Sequence, residues 1–140
     1  MKIFMIPPNS LILYDLVERF GHQPLSLMGE LREHVVKPEI ESPPLNLSQE
    51  DIMNGLKYAG IEVPSGVRGR LGIWGPMVDE AEAAIIMHDM PYTFGCVGCH
   101  RTNLMLTYMV RRKKIPILEV HYPKTDEEAN ALLEMLGMPF

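Results

Sequence analysis

The sequence predicts a single-domain α/β protein with a mainly parallel sheet and flanking helices. Three observations carry this expectation. The chain opens with an apolar strand, a tight turn and an amphipathic helix within about 20 residues, which is how a βαβ unit begins. Two later runs, "AAIIMH" at 83–88 and "IPILEVH" at 115–121, are near-continuously apolar, as strands buried on both faces are. Segments of helical spacing separate these runs, and strands that alternate with helices build parallel sheets. The 140 residues suit one domain, 1–140, with enough chain to bury one core.

The elements follow in order. Lys2–Ile6 reads as the first strand, and "PPNS" offers Asn9 or Ser10 as a helix N-cap. Leu11–Phe20 carries apolar residues at 11, 12, 13, 16, 17 and 20, one helical face, and Gly21 closes it. "QPLSLMG" at 23–29 is a candidate second strand. Residues 35–47, with three prolines, read as a loop or edge segment. Ser48 and Asp51 have the spacing of a capping box, and the helix they open runs to about Ala59, before Gly60. The stretch 60–76, "GIEVPSGVRGRLGIWGP", holds five glycines and two prolines and reads as a structured loop or small hairpin. "PMVDEAEA" then reads as a short helix with Pro76 at its first position. "LMLTYMV" at 104–110 lies in a helix that starts between Gly95 and Asn103 and ends in "RRKK", a solvated, cationic end that suits the helix dipole. Thr125 caps a last helix through Leu136, stopped by Gly137. The sum is a three-layer arrangement, flavodoxin-like or Rossmann-like.

Composition removes some functions. The net charge is −5, against general nucleic-acid binding, which needs cations to neutralise phosphates. No apolar run approaches the length of a membrane span, and the first ten residues lack a signal-peptide pattern. A cytoplasmic protein with reduced thiols is expected. Eleven methionines, spread along the chain, fit flexible core filler.

In open α/β sheets, ligands bind beyond the carboxyl ends of the strands. That rule gathers Asn9 and Ser10 after the first strand, His88 and Asp89 after the 83–88 strand, and His121 after the last. The same edge receives "GCVGCHRTN" at 95–103, which holds both cysteines of the chain, Cys96 and Cys99, followed by His100. A Cys-x-x-Cys spacing lets both sulfurs reach one partner, and a helix N-terminus favours thiolates. Gly95 and Gly98 let backbone approach a ligand closely. The options are a thiol redox pair, a zinc site with Cys96, Cys99, His88 and His121 as its four ligands, an iron–sulfur cluster shared by two chains across a two-fold axis, or two small packed side chains in a turn. The motif also matches a c-type haem attachment site, but no export signal accompanies it. Arg68 and Arg70 in "SGVRGRLG" offer an anion-binding turn, set against a plain surface turn. No hydrolase-type nucleophile elbow is present.

The opening "MKIFMIPPNSLILYDLVERFGH" together with "GCVGCHRTN" resembles the small methanogenesis marker proteins, marker protein 5 in particular, over the whole chain. The resemblance implies an accessory protein of methanogenesis in an anaerobic cytoplasm, where iron–sulfur chemistry is common. It implies protein partners, among them methyl-coenzyme M reductase or its assembly and activation complex. It transfers no catalytic residue. Two other functions stand beside it: a scaffold or interaction protein, a homodimer among the options, in which the cysteines pack; and a binder of a small anion that uses the strand ends with Arg68 and Arg70.

Overall fold

A computed structural model describes residues 1–26, 47–90 and 97–137. Four strands, β1 (Lys2–Ile6), β2 (Gln23–Leu25), β3 (Ala83–His88) and β4 (Ile117–His121), form one sheet of order β2-β1-β3-β4. Every pairing is parallel. Five helices accompany it among the described residues: α1 (Leu11–Arg19), α2 (Gln49–Gly55), α3 (Ser65–Glu80), α4 (Val97–Arg112) and α5 (Asp126–Leu136). The expected α/β architecture, its parallel sheet and its three layers are all present.

The pleat sorts the apolar side chains into two cores. Ile3, Met5, Ala83, Ile85 and Val120 face α1 and α5, where Leu13, Val17, Leu132 and Leu136 meet them. Phe4, Ile6, Ala84 and Ile86 face the other way, toward α3 and α4. β1 is the centre: Ile3, Phe4 and Met5 are fully buried, each worth about 1.5–3 kcal/mol in transfer free energy.

The helix ends follow the expected chemistry. Ser10 caps α1, its Oγ accepting from the Leu13 N–H at 3.2 Å. Gly21, at φ +82°, turns the chain after α1 in the left-handed region that glycine adopts freely. Ser48 and Asp51 form a complete capping box on α2. Thr125 Oγ1 accepts from the Glu128 N–H, and Gly137 ends α5.

The glycine-rich stretch departs from expectation. It is neither loop nor hairpin but the body of α3, and Pro76 lies inside that helix, not at its start. Each glycine costs a helix interior roughly 1 kcal/mol relative to alanine, so tertiary packing overrides propensity here. A Cβ on Gly72 would lie 2.1 Å from the Asp51 carbonyl oxygen, and one on Gly55 would lie 1.9 Å from that of Arg68. The two helices therefore touch backbone to backbone. Gly75 leaves room for the Tyr58 ring, 2.4 Å from where its Cβ would be.

"RRKK" also departs from a purely solvated end. Lys113 Nζ donates to the carbonyls of Val78 at 2.8 Å, Ala81 at 2.7 Å, and Asp79. One ammonium thus satisfies the carbonyls at the C-terminus of α3, where a cation is favoured. Arg111 pairs with Glu119, and Arg112 lies over the Tyr108 ring.

Two predictions follow from this packing. Gly72→Ala destabilises the protein by about 1–3 kcal/mol or more in urea unfolding, the range of overpacked cores. Gly137→Ala, where the nearest contact is the movable side chain of Phe20, stays within about 0.5 kcal/mol. The second concerns Tyr58, whose pKa is pushed up to about 12 by burial, by donation of its hydroxyl to Asp79 at 2.8 Å and by the Asp79 charge. A raised folded pKa adds stability that is complete below the unfolded value of about 10 and is lost as pH rises through about 12. Unfolding midpoints of the wild type should fall more steeply across that window than those of Tyr58→Phe.

Candidate functional site

β3 and β4 end level with each other, and their register sets His88 opposite His121. Opposed residues share a face, so the two rings stand side by side, with centroids 5.5 Å apart. Glu119 precedes His121 by two residues and therefore shares its face. Its Oε2 accepts from His88 Nε2 at 2.9 Å, and its Oε1 pairs with Arg111 Nη2 of α4 at 2.8 Å. On the neighbouring imidazole, His121 Nδ1 donates to Asp89 Oδ2 at 2.6 Å. Asp89 follows β3 directly and holds φ at +58°, a left-handed turn that aspartate tolerates better than most residues.

Both carboxylates are held below their usual range. For Asp89 the hydrogen bond from His121 is the largest cause, aided by the charges of His121, Lys124 and His88. For Glu119 it is the hydrogen bond from His88, with Arg111 adding to it. The ring nitrogen that donates to a carboxylate carries the proton. In a neutral imidazole the other nitrogen, Nδ1 of His88 and Nε2 of His121, then holds the lone pair. This is how metal-bound histidines are oriented, with one nitrogen on the ion and the other donating to a carboxylate.

The other expected residues are distributed as follows. Asn9 is exposed at the end of β1, and Ser10 is occupied as the α1 cap. Arg68 and Arg70 lie in α3, not in a turn. Arg70 is buried at 8% exposure, and its Nη1 donates to the Gly66 carbonyl at 3.1 Å. That is a role within the helix, and the turn on which anion binding rested is absent. Cys99 is half-buried in the first turn of α4, and His100 is exposed. Cys99 lies on the same helical stripe as buried Leu106 and Val110. Cys96 lies outside the described residues. Among the described residues no three His, Cys, Asp or Glu side chains are grouped as metal ligands. Sequence reasoning missed Glu119 and Arg111; the alternation Glu119-x-His121 in a strand was the signal for the first.

The chain matches, over residues 1–137, the family described as "Uncharacterized protein conserved in archaea (DUF2112)". It is 59% identical over 136 residues to the "Uncharacterized protein MJ0404" of Methanocaldococcus jannaschii, covering 97% of this chain and 91% of that protein. No solved structure matches it.

The pairings at the strand ends predict the acid response of this site. A depressed folded pKa adds stability that is present above the unfolded value and is lost as pH falls through the folded one. In carbon-13 NMR titration, the Asp89 and Glu119 carboxyls should have midpoints below the ordinary carboxylate range. His121→Ala should raise the Asp89 midpoint and His88→Ala that of Glu119, each without moving the other by as much.

Proposed function

The chain belongs to the conserved archaeal family DUF2112, and we propose that it is an accessory protein of methanogenesis that handles a metal ion or metal cluster at the carboxyl edge of its sheet. The observation that carries this reading is the His88–His121 pair, each imidazole oriented by its own carboxylate. His88 and His121 are the nitrogen ligands. Cys96, and Cys99 in the first turn of α4, are the thiolate ligands; Cys99 is not grouped with the two imidazoles in this structure, so metal binding draws the start of α4 toward them. Two imidazoles and two thiolates make a tetrahedral set for zinc; with iron, two thiolates from each of two chains hold a shared cluster.

The methanogenic context has two supports. A relative at 59% identity comes from a methanogen, and the opening segment and the Cys-x-x-Cys segment resemble marker protein 5. In that context the partner is methyl-coenzyme M reductase or the proteins that assemble and activate it. A cytoplasmic location belongs to the same reading. It is in keeping with the described helices, none of which is long and apolar enough to cross a membrane.

The test is anaerobic purification followed by zinc, iron and sulfide analysis, with cobalt substitution as a probe of the ligand set. The expected result is near-stoichiometric metal in the wild type, loss of it in Cys96→Ser/Cys99→Ser, and weakened retention of zinc in His88→Ala/His121→Ala. Cobalt should show a thiolate charge-transfer band that survives the histidine substitutions in weakened form and vanishes with the cysteines. A metal-free protein that gives no such band with added cobalt overturns the reading.

A further inference from the structure

A cleft of about 430 Å³ lies between β2 and α3, and it shares no residue with the histidine site. Leu25, Ile73, Pro76 and Met77 supply its apolar surface. Two prolines set the polarity of its backbone. The Gln23 N–H donates to the Met1 carbonyl at 2.9 Å. Alternate residues of a strand bond to opposite neighbours, so Pro24 turns its backbone away from β1. It has a carbonyl to offer there and no N–H. On α3, Pro76 lacks the N–H that would bond the Gly72 carbonyl one turn earlier. Pro24, Gly72 and Pro76 all line the cleft. At these positions the backbone presents acceptors without donors.

Two carboxylates, Asp51 and Glu80, also line the cleft, and the helix geometry sets them far apart. Asp51 lies beside Gly72, its carbonyl oxygen 2.1 Å from where a Gly72 Cβ would be. Its Oδ2 accepts from the N–H and the hydroxyl of Ser48, and it has no cationic partner among the described residues. Glu80 stands about 12 Å further along α3 than Gly72, at roughly 1.5 Å per residue. It already accepts one ammonium, Lys2 Nζ at 3.6 Å, in an exposed pair. Among the described residues no Lys, Arg or His lines the cleft.

We infer that this cleft binds a linear aliphatic polyamine. The ligand must donate hydrogen bonds, because the wall offers carbonyls and carboxylates. It must be cationic at two places, because the carboxylates stand toward opposite ends. It must be apolar between them, because Ile73, Pro76 and Met77 lie on α3 between Gly72 and Glu80. Methylene chains cover such a surface while their charged ends reach polar partners. The terminal nitrogens of an extended triamine such as spermidine are about as far apart as Gly72 and Glu80. One terminal ammonium meets Asp51 and the Gly72 carbonyl, in charge-assisted bonds. The other meets Glu80, where Lys2 shows how an ammonium is accepted. A peptide strand added to β2 is a poorer occupant, because Pro24 withholds the N–H that such a ladder needs. The inference is independent of metal binding at the strand ends.

Calorimetric titration of the full chain with spermidine at low ionic strength tests it, with butylamine and magnesium chloride as comparison ligands. Far-UV circular dichroism confirms that each variant is folded. The wild type should bind spermidine at one site, and butylamine, with a single charge, about tenfold more weakly or not at all. Glu80→Gln and Asp51→Asn should each raise the spermidine dissociation constant by roughly threefold to fivefold. Asp51 also closes the capping box of α2, so the exposed Glu80 gives the deciding variant. Glu127→Gln, an exposed change on α5 at the other face of the sheet, should leave the constant unchanged. A wild type that gives no heat with spermidine overturns the proposal, as does affinity that survives Glu80→Gln intact. Magnesium binding as tightly as spermidine, or an equal loss in Glu127→Gln, overturns it too, because the protein would then be reading charge alone.

Discussion

The backbone contact between α2 and α3 governs much of what lies on that side of the sheet. Gly55 and Gly72 allow it, and no other side chain fits at either position without displacing backbone. With α2 held this close, α3 presents Val67, Leu71, Trp74 and Val78 to the sheet. Its C-terminus is then held by Lys113 from the end of α4. α4 in turn carries Arg111, which holds Glu119, which holds His88. A packing choice made with glycine thus reaches, through one ammonium and one guanidinium, to the imidazoles at the sheet edge.

Most of the fold was legible because its signals are local. Apolar runs marked β1, β3 and β4, and Ser10, Ser48 and Thr125 marked helix starts through hydrogen bonds made within three residues. α3 was not legible for the opposite reason. Its glycines look like loop residues when judged by propensity, and their purpose is visible only once α2 lies against them. Lys113 shows the same limit, since its acceptors are more than thirty residues away in sequence. At the candidate site, the rule that ligands bind beyond strand ends correctly brought His88 and His121 together. It could not supply Glu119 or Arg111, because their roles depend on strand register and on the seating of α4.

The arrangement at the edge also explains why the two histidines differ in setting. His88 is the more enclosed, with a carboxylate that an arginine already neutralises in part. His121 is the more exposed, and its carboxylate comes from a left-handed turn. The two imidazoles are therefore held by unlike neighbours although they sit at matching places in the sheet. A four-stranded parallel sheet serves many chemistries, and what distinguishes this one is the paired carboxylate–imidazole arrangement.

The strand order has a consequence for how the chain acquires its fold. β1 lies between β2 and β3, and Ile3 pairs with Ala83. β2 is available soon after β1, but the other side of β1 must wait until most of the chain has been made. Until then its backbone is unpaired on that side and its apolar side chains lack half of their neighbours. Distant pairings of this kind slow folding, and the exposed intermediate is the species most prone to aggregate. The step that commits the chain is therefore the arrival of "AAIIMH" at the centre of the sheet, and substitutions there should act on the rate of folding as strongly as on the stability of the finished protein.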